Sequence, residues 1–203
     1  MSRGSSIITY AFANKIGQRV STSFLDPYDA YKQKFSLRRD LRDIDESDID
    51  ESQNKHLSLI VDKRVVYILD TNKISVRWSL ECAKSILEYQ PNNFAIELLQ
   101  AVSLWLDTGI LEYNILMIAD LCDYYSAAAA AYSAYYASIS KELLSAYCAY
   151  LSSTHTYETS EEMNWQIPQQ RKILQSIINR SFMLNLLTKK VPNDLLSKIG
   201  TYL

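Results

Sequence analysis

The sequence predicts an all-α or mainly α protein, an antiparallel helical bundle with room for a small β-hairpin near residues 57–69. Three observations carry this. From Asp120 to Leu151 there is no glycine or proline, alanine runs unbroken from Ala127 to Ala131, and tyrosines stand at 124, 125, 132, 135, 136, 147 and 150. Alanine is the best helix former and is too small to hold backbones apart, so helices carrying it can pack closely with tyrosine rings filling the gaps. Apolar residues recur at three and four residue steps from Ile74 to Tyr89, from Ile96 to Leu106 and from Ile173 to Phe182, the spacing of one helical face. Four glycines and four prolines in 203 residues are too few for the turns of a β-sandwich or for a phosphate-cradling loop.

Asp26-Pro27 opens a first helix reaching to about Leu41, because aspartate caps free amide groups and proline suits the first turn. The run DIDESDIDESQN that follows has nothing to bury. Residues 1–42 therefore read as an amino-terminal extension with one helix, 43–56 as an acidic linker, and 57–203 as the helical domain. LSLIVDKRVVYIL, from Leu57, fits a hairpin turning at Asp62-Lys63, with a buried helix as the alternative. Asp70-Thr71-Asn72 caps the Trp78 helix, Gln90-Pro91-Asn92-Asn93 breaks it, and the next helix stops near Gly109. A third helix is expected over about 111–137 and a fourth over about 138–152, joined at Ser138-Ile139-Ser140 by a bend that need not break. Ile167-Pro168 opens another helix, and Val191-Pro192 a short last one.

Charge is nearly balanced overall, at -2, but unevenly placed. Residues 1–42 hold eight Lys/Arg against three acids, 107–162 hold eight acids against Lys141 alone, and 164–203 hold six bases against one acid. The net value points to neither nucleic acid nor a membrane surface, and no apolar run is long enough to span a bilayer. The first 25 residues are basic and hydroxyl-rich but lack a secretory apolar core, so they read as an ordinary amino-terminal segment. Cys82, Cys122 and Cys148 are widely spaced among apolar residues and read as reduced core thiols, consistent with a cytoplasmic protein.

No catalytic constellation emerges. His56 and His155 are the two histidines, Cys148 and His155 lack the spacing of a metal site, and Glu161-Glu162 beside Trp165 reads as a solvated helix cap. No metal, cofactor or catalytic residue is expected. The interaction signal lies elsewhere, in Asp120, Asp123, Tyr124, Tyr125, Tyr132 and Tyr135. Tyrosine supplies large, stiff contact area, and carboxylates speed encounter with a basic partner. Neighbouring rings such as Tyr124 and Tyr125, or Tyr135 and Tyr136, cannot share one face of a helix, so one of each pair should turn toward solvent or a partner.

The segment RWSLECAKSILEYQPNNFAIELLQAVSLWLDTGI, with Trp78, Cys82-Ala83, Pro91-Asn92, Ala101, Trp105 and Gly109, resembles a family of immunity proteins associated with bacterial polymorphic toxin systems. The likeness extends through the alanine-rich helices to His155, Glu161-Glu162 and Trp165-Gln166, about residues 73–170. Where that family carries an Arg-Pro-Arg-like stretch, this chain has Asn93-Phe94-Ala95-Ile96, and the histidine of its first alanine-rich helix is absent. The resemblance implies a helical, non-enzymatic protein that binds and neutralises a cognate toxin, with Trp78, Cys82, Trp105, Gly109, His155, Trp165 and Gln166 as packing residues of the motif. The alternative is a helical adaptor or a homodimer built on the alanine faces. An enzyme using His155 with Glu161 or Glu162 is the third and least supported reading.

Overall fold

The computed structural model describes residues 7–35, 49, 50, 52, 55–87, 92–111, 114–154 and 160–187, without the side chains at 86, 160–166, 186 and 187. It is mainly helical. In chain order the elements are β1 (Thr9–Ala13), α1 (Pro27–Phe35), β2 (His56–Val61), β3 (Arg64–Ile68), α2 (Thr71–Leu87), α3 (Asn93–Thr108), α4 (Ile115–Asp120), α5 (Tyr125–Ser138), α6 (Glu142–Thr154) and α7 (Ser160–Leu187). The hairpin of residues 57–69 is present as β2 and β3, in a three-stranded antiparallel sheet of order β1-β2-β3.

β1 was not anticipated, because TYAFA shows no apolar and polar alternation. Both of its faces are covered. Tyr10 and Phe12 point to the main core, while Ala11 and Ala13 join Val20, Ile60 and Val65 in a small cluster on the other side. The chain leaving β1 supplies that cover and blunts both sheet edges, with Tyr10 exchanging backbone bonds with Phe24, Gly17 and Gln18 bonding to Val65 of β3, and Val20 N donating to Lys63 O in the turn before it. Such covering removes the free edge along which sheets aggregate. Residues 7–35, expected as an extension, thus share one core with the helices: Tyr28, Tyr31 and Phe35 of α1 pack with Trp78, Tyr147 and Tyr150.

The β2-β3 turn uses Asp62 and Lys63 with φ of 51° and 61°. Two successive left-handed residues suit the right-handed twist of a hairpin, but a side chain there is strained and glycine is not. Lys63→Gly should raise stability by about 0.5–1 kcal/mol, after the extra unfolded-state freedom of glycine is deducted. A rise in the urea midpoint at constant slope checks this; an unchanged midpoint contradicts it.

Helix ends follow the capping residues. Asp26 Oδ1 accepts from Tyr28 N at 2.8 Å with Pro27 in the first turn, and Asp70 Oδ1 accepts from Lys73 N at 3.1 Å. Asn92 Oδ1 accepts from Ala95 N at 3.2 Å, and Gly109, at φ 74°, closes α3 by donating to Trp105 O. Three expectations need correction. The expected helix over 111–137 is divided at Leu121–Tyr124, and the bend at Ser138–Ser140 is a full reversal between α5 and α6. There Ser140 takes φ 59°, its N–H donates to Ala137 O and that of Lys141 to Tyr136 O, the paired bonds that end a helix in a left-handed residue. The last described helix begins at Ser160 rather than at Ile167, with Pro168 inside it. The expected ends of the first helix, to Leu41, and the helix from Val191 lie outside the described residues.

α5 is the hub, packed against α2, α3, α4 and α6. Ala127 to Ala131, Ser133, Ala134 and Ala137 are all buried within the chain, so the alanine faces expected to pair two copies are filled by its own helices. Along the α5–α6 seam, Ser126 meets Ser152 (Oγ to Oγ 2.9 Å) and Ser133 meets Ser145 (3.3 Å), while each of Ser126, Ser133 and Ser152 also donates to a facing carbonyl at 3.0 Å. The pairs stand seven residues apart on each helix, two turns of an antiparallel register. α7 is tied to α1 by Arg171, whose Nη1 and Nη2 reach Asp26 (2.7 Å) and Asp29 (2.6 Å) and whose guanidinium lies over the Tyr28 ring.

Candidate protein-binding corner

The break between α4 and α5 creates the surface feature that best suits a partner. α4 has six residues and is seated on α3 and α5. Ile115 and Ala119 face inward, Met117 and Asp120 outward, and the chain then turns with Cys122 buried and Leu121 and Asp123 exposed. Tyr124 is extended (φ -86°, ψ 94°) before α5 begins. The outcome is a corner where Met117 (65% exposed) and Leu121 (67%) stand in one short stretch of chain with exposed Asp120 and Asp123. Large aliphatic side chains this exposed next to carboxylates are the composition of a contact surface with a polar rim.

Tyr132, half-buried on α5, donates its O–H to Asp120 Oδ1. Burial, then the neighbouring carboxylate, push its phenol above the usual range, so it stays protonated and holds Asp120 in place at neutral pH. Among the described residues neither Asp120, Asp123 nor Asp107 is in an ion pair. Their charge therefore faces outward uncompensated.

The tyrosine pairs divide differently from the expectation that one ring of each points away. Tyr124 packs on the second core cluster, with α3 and α4, while Tyr125 packs on the main one; both are half-buried. Tyr136 is buried, and Tyr135 lies edge-on against it with centroids 5.3 Å apart. Tyr132 touches both clusters. Asp120, Asp123, Tyr124 and Tyr132 are thus gathered at the corner, whereas Tyr125 and Tyr135 are support for the main core.

The motif residues are placed as packing groups where they are described. Trp78 and Cys82 are fully buried in the main cluster, Trp105 is buried in the second, and Gly109 is the cap of α3. Cys82 Sγ donates to Gln170 Oε1, and burial pushes the thiols of Cys82 and Cys148 far up, which leaves both unreactive. His155 lies outside the described residues; Trp165 and Gln166 belong to α7, and their side chains are likewise outside them. His56 meets Glu142 at 2.5 Å, with Lys55 3.7 Å from the same carboxylate. That pair joins the start of β2 to the first turn of α6. Among the described residues no group of His, Cys, Asp and Glu is placed to hold a metal, and no helix is long and apolar enough to cross a membrane. Comparison with known protein families, curated proteins and solved structures finds no match.

Proposed function

We propose that this chain is a protein-binding immunity protein that neutralises a cognate bacterial toxin by docking the α4–α5 corner on it and covering a basic working surface. The observation that carries the reading is the corner itself: Met117 and Leu121 bare, Asp120 and Asp123 unneutralised, and Tyr132 fixing one of the carboxylates. Apolar anchors supply affinity, while the carboxylates steer encounter and reject acidic surfaces. The resemblance of residues 73–170 to immunity proteins supplies the toxin as the class of partner. The cells that make the chain offer the test. A gene beside its own is expressed with and without it, and the chain is used to capture partners. The reading expects a lethal neighbour, rescue, and recovery of the two proteins together; a harmless neighbour and recovery of the chain alone overturn it.

Tyr132→Phe tests the geometry of the corner. It removes one O–H donor and leaves the ring, so the melting temperature should move little while affinity for the captured partner falls about three- to tenfold, the worth of one hydrogen bond to a charged group. Calorimetric titration reads this; equal affinity for the two proteins contradicts an ordering role for the phenol.

A further inference from the structure

A second charged surface lies along the sheet. Residues 17–20 pair with β3, and this places Arg19 directly across from Arg64. Lys63 neighbours them in the turn, and Ile16, 61% exposed, precedes them. Like charges directly opposite on paired strands repel each other. Among the described residues Arg19, Lys63 and Arg64 are in no ion pair, and the Arg64 guanidinium donates a hydrogen bond to Gly17 O at 3.4 Å. Among the described residues this cationic edge is uncompensated, and an acidic partner would relieve it.

That edge matches the α4–α5 corner in sign and in kind. One carries Arg19, Lys63 and Arg64, with exposed Ile16 three residues before Arg19 in the chain; the other carries exposed Asp120 and Asp123 with exposed Met117 and Leu121 in the same stretch of chain. Within one chain the two are built on different parts of the fold, since the sheet lies against α1 whereas α4 lies on α3 and α5. We infer that the occupant of the cationic edge is a second copy of this chain, presenting its acidic corner head to tail. Exposed aromatic rings, on which nucleic-acid bases would stack, are missing from the edge among the described residues. A head-to-tail contact between two different patches builds open chains of copies, or a ring where the rotation between copies closes. It uses the corner assigned above to the toxin, but stands whether or not a toxin exists; a toxin would compete with it.

Sedimentation of the full chain from about 10 μM to about 1 mM, in about 25 mM and then about 500 mM salt, reads the association, because exposed charge pairs are screened at the higher value. The expected result is mass that grows with concentration at low salt and association weakened about tenfold or more at high salt. Two variants locate it, Asp120→Asn with Asp123→Asn, and Arg19→Gln with Arg64→Gln, all at exposed positions so that circular dichroism should be unchanged. Each variant alone stays monomeric, while their mixture retains one competent edge and one competent corner and forms a one-to-one complex that grows no further. A wild-type chain that remains monomeric throughout, or variants that still associate alone, overturns the inference. So does a wild-type monomer that binds a DNA duplex or anionic vesicles through Arg19 and Arg64.

Discussion

Trp78→Ala should destabilise the protein by about 4 kcal/mol, the middle of the range for an aromatic removed from a filled core. Trp78 has no solvent exposure, and its ring meets those of Tyr31 (5.0 Å, 66°) and Tyr28 (6.0 Å, 84°) edge to face. It stands on α2 in the main core, which also holds residues of α1, α5, α6 and α7, so the void would open where five helices meet and could not collapse without moving several of them. Among the described residues its Nε1 has no hydrogen-bond partner. The loss is therefore of apolar contact alone, and Trp78→Phe, which discards an unpaired buried N–H along with some volume, should cost only about 1 kcal/mol. Urea midpoints of the two variants separate these effects. Equal destabilisation would mean that the indole N–H matters more than the ring. For a domain whose total stability is about 5–15 kcal/mol, the alanine variant should be close to unfolding at physiological temperature.

Ser133→Leu should cost about 3 kcal/mol or more, by the opposite mechanism. Ser133 is buried on the α5–α6 seam and donates to Ser145 O at 3.0 Å. The helices approach closely because the facing residues are small, and three extra carbons would drive them apart along their length. The hydroxyl of Ser145 would also lose a partner. Ser133→Ala keeps the spacing and forfeits only the hydrogen bond, for about 1 kcal/mol. A leucine variant as stable as the alanine variant, in thermal melts, would show that the seam can open without penalty.

This seam was the most legible part of the fold. Alanine, serine and tyrosine without glycine or proline announce close-packed helices, and the caps at Asp26, Asn92 and Gly109 set helix ends where they are observed. β1 was hidden because sheet patterning is read from alternation, and a strand covered on both faces has none. The break at Leu121–Tyr124 was hidden because no residue there breaks a helix by itself; what ends α4 is packing, which buries Cys122 and seats Tyr124 on the second cluster. The same break explains why the corner was only half visible. Its acids and tyrosines stood out by composition, but Met117 and Leu121 fit an apolar helical stripe and look like core until the chain is seen to turn. The cationic edge was invisible for another reason, since Arg19 and Arg64 lie forty-five residues apart and meet only across paired backbone.

Affinity for the captured partner, measured for the wild type and for Asp120→Lys with Asp123→Lys across a salt series, tests the corner most directly. Both positions are exposed and in no ion pair among the described residues, and only the Tyr132 hydrogen bond to Asp120 is lost, so the melting temperature should hold within a few degrees while affinity at low salt falls about a hundredfold and its salt dependence flattens or reverses. Unchanged affinity in a folded variant would place the docking surface elsewhere on the molecule and remove the ground for assigning the α4–α5 corner to a partner.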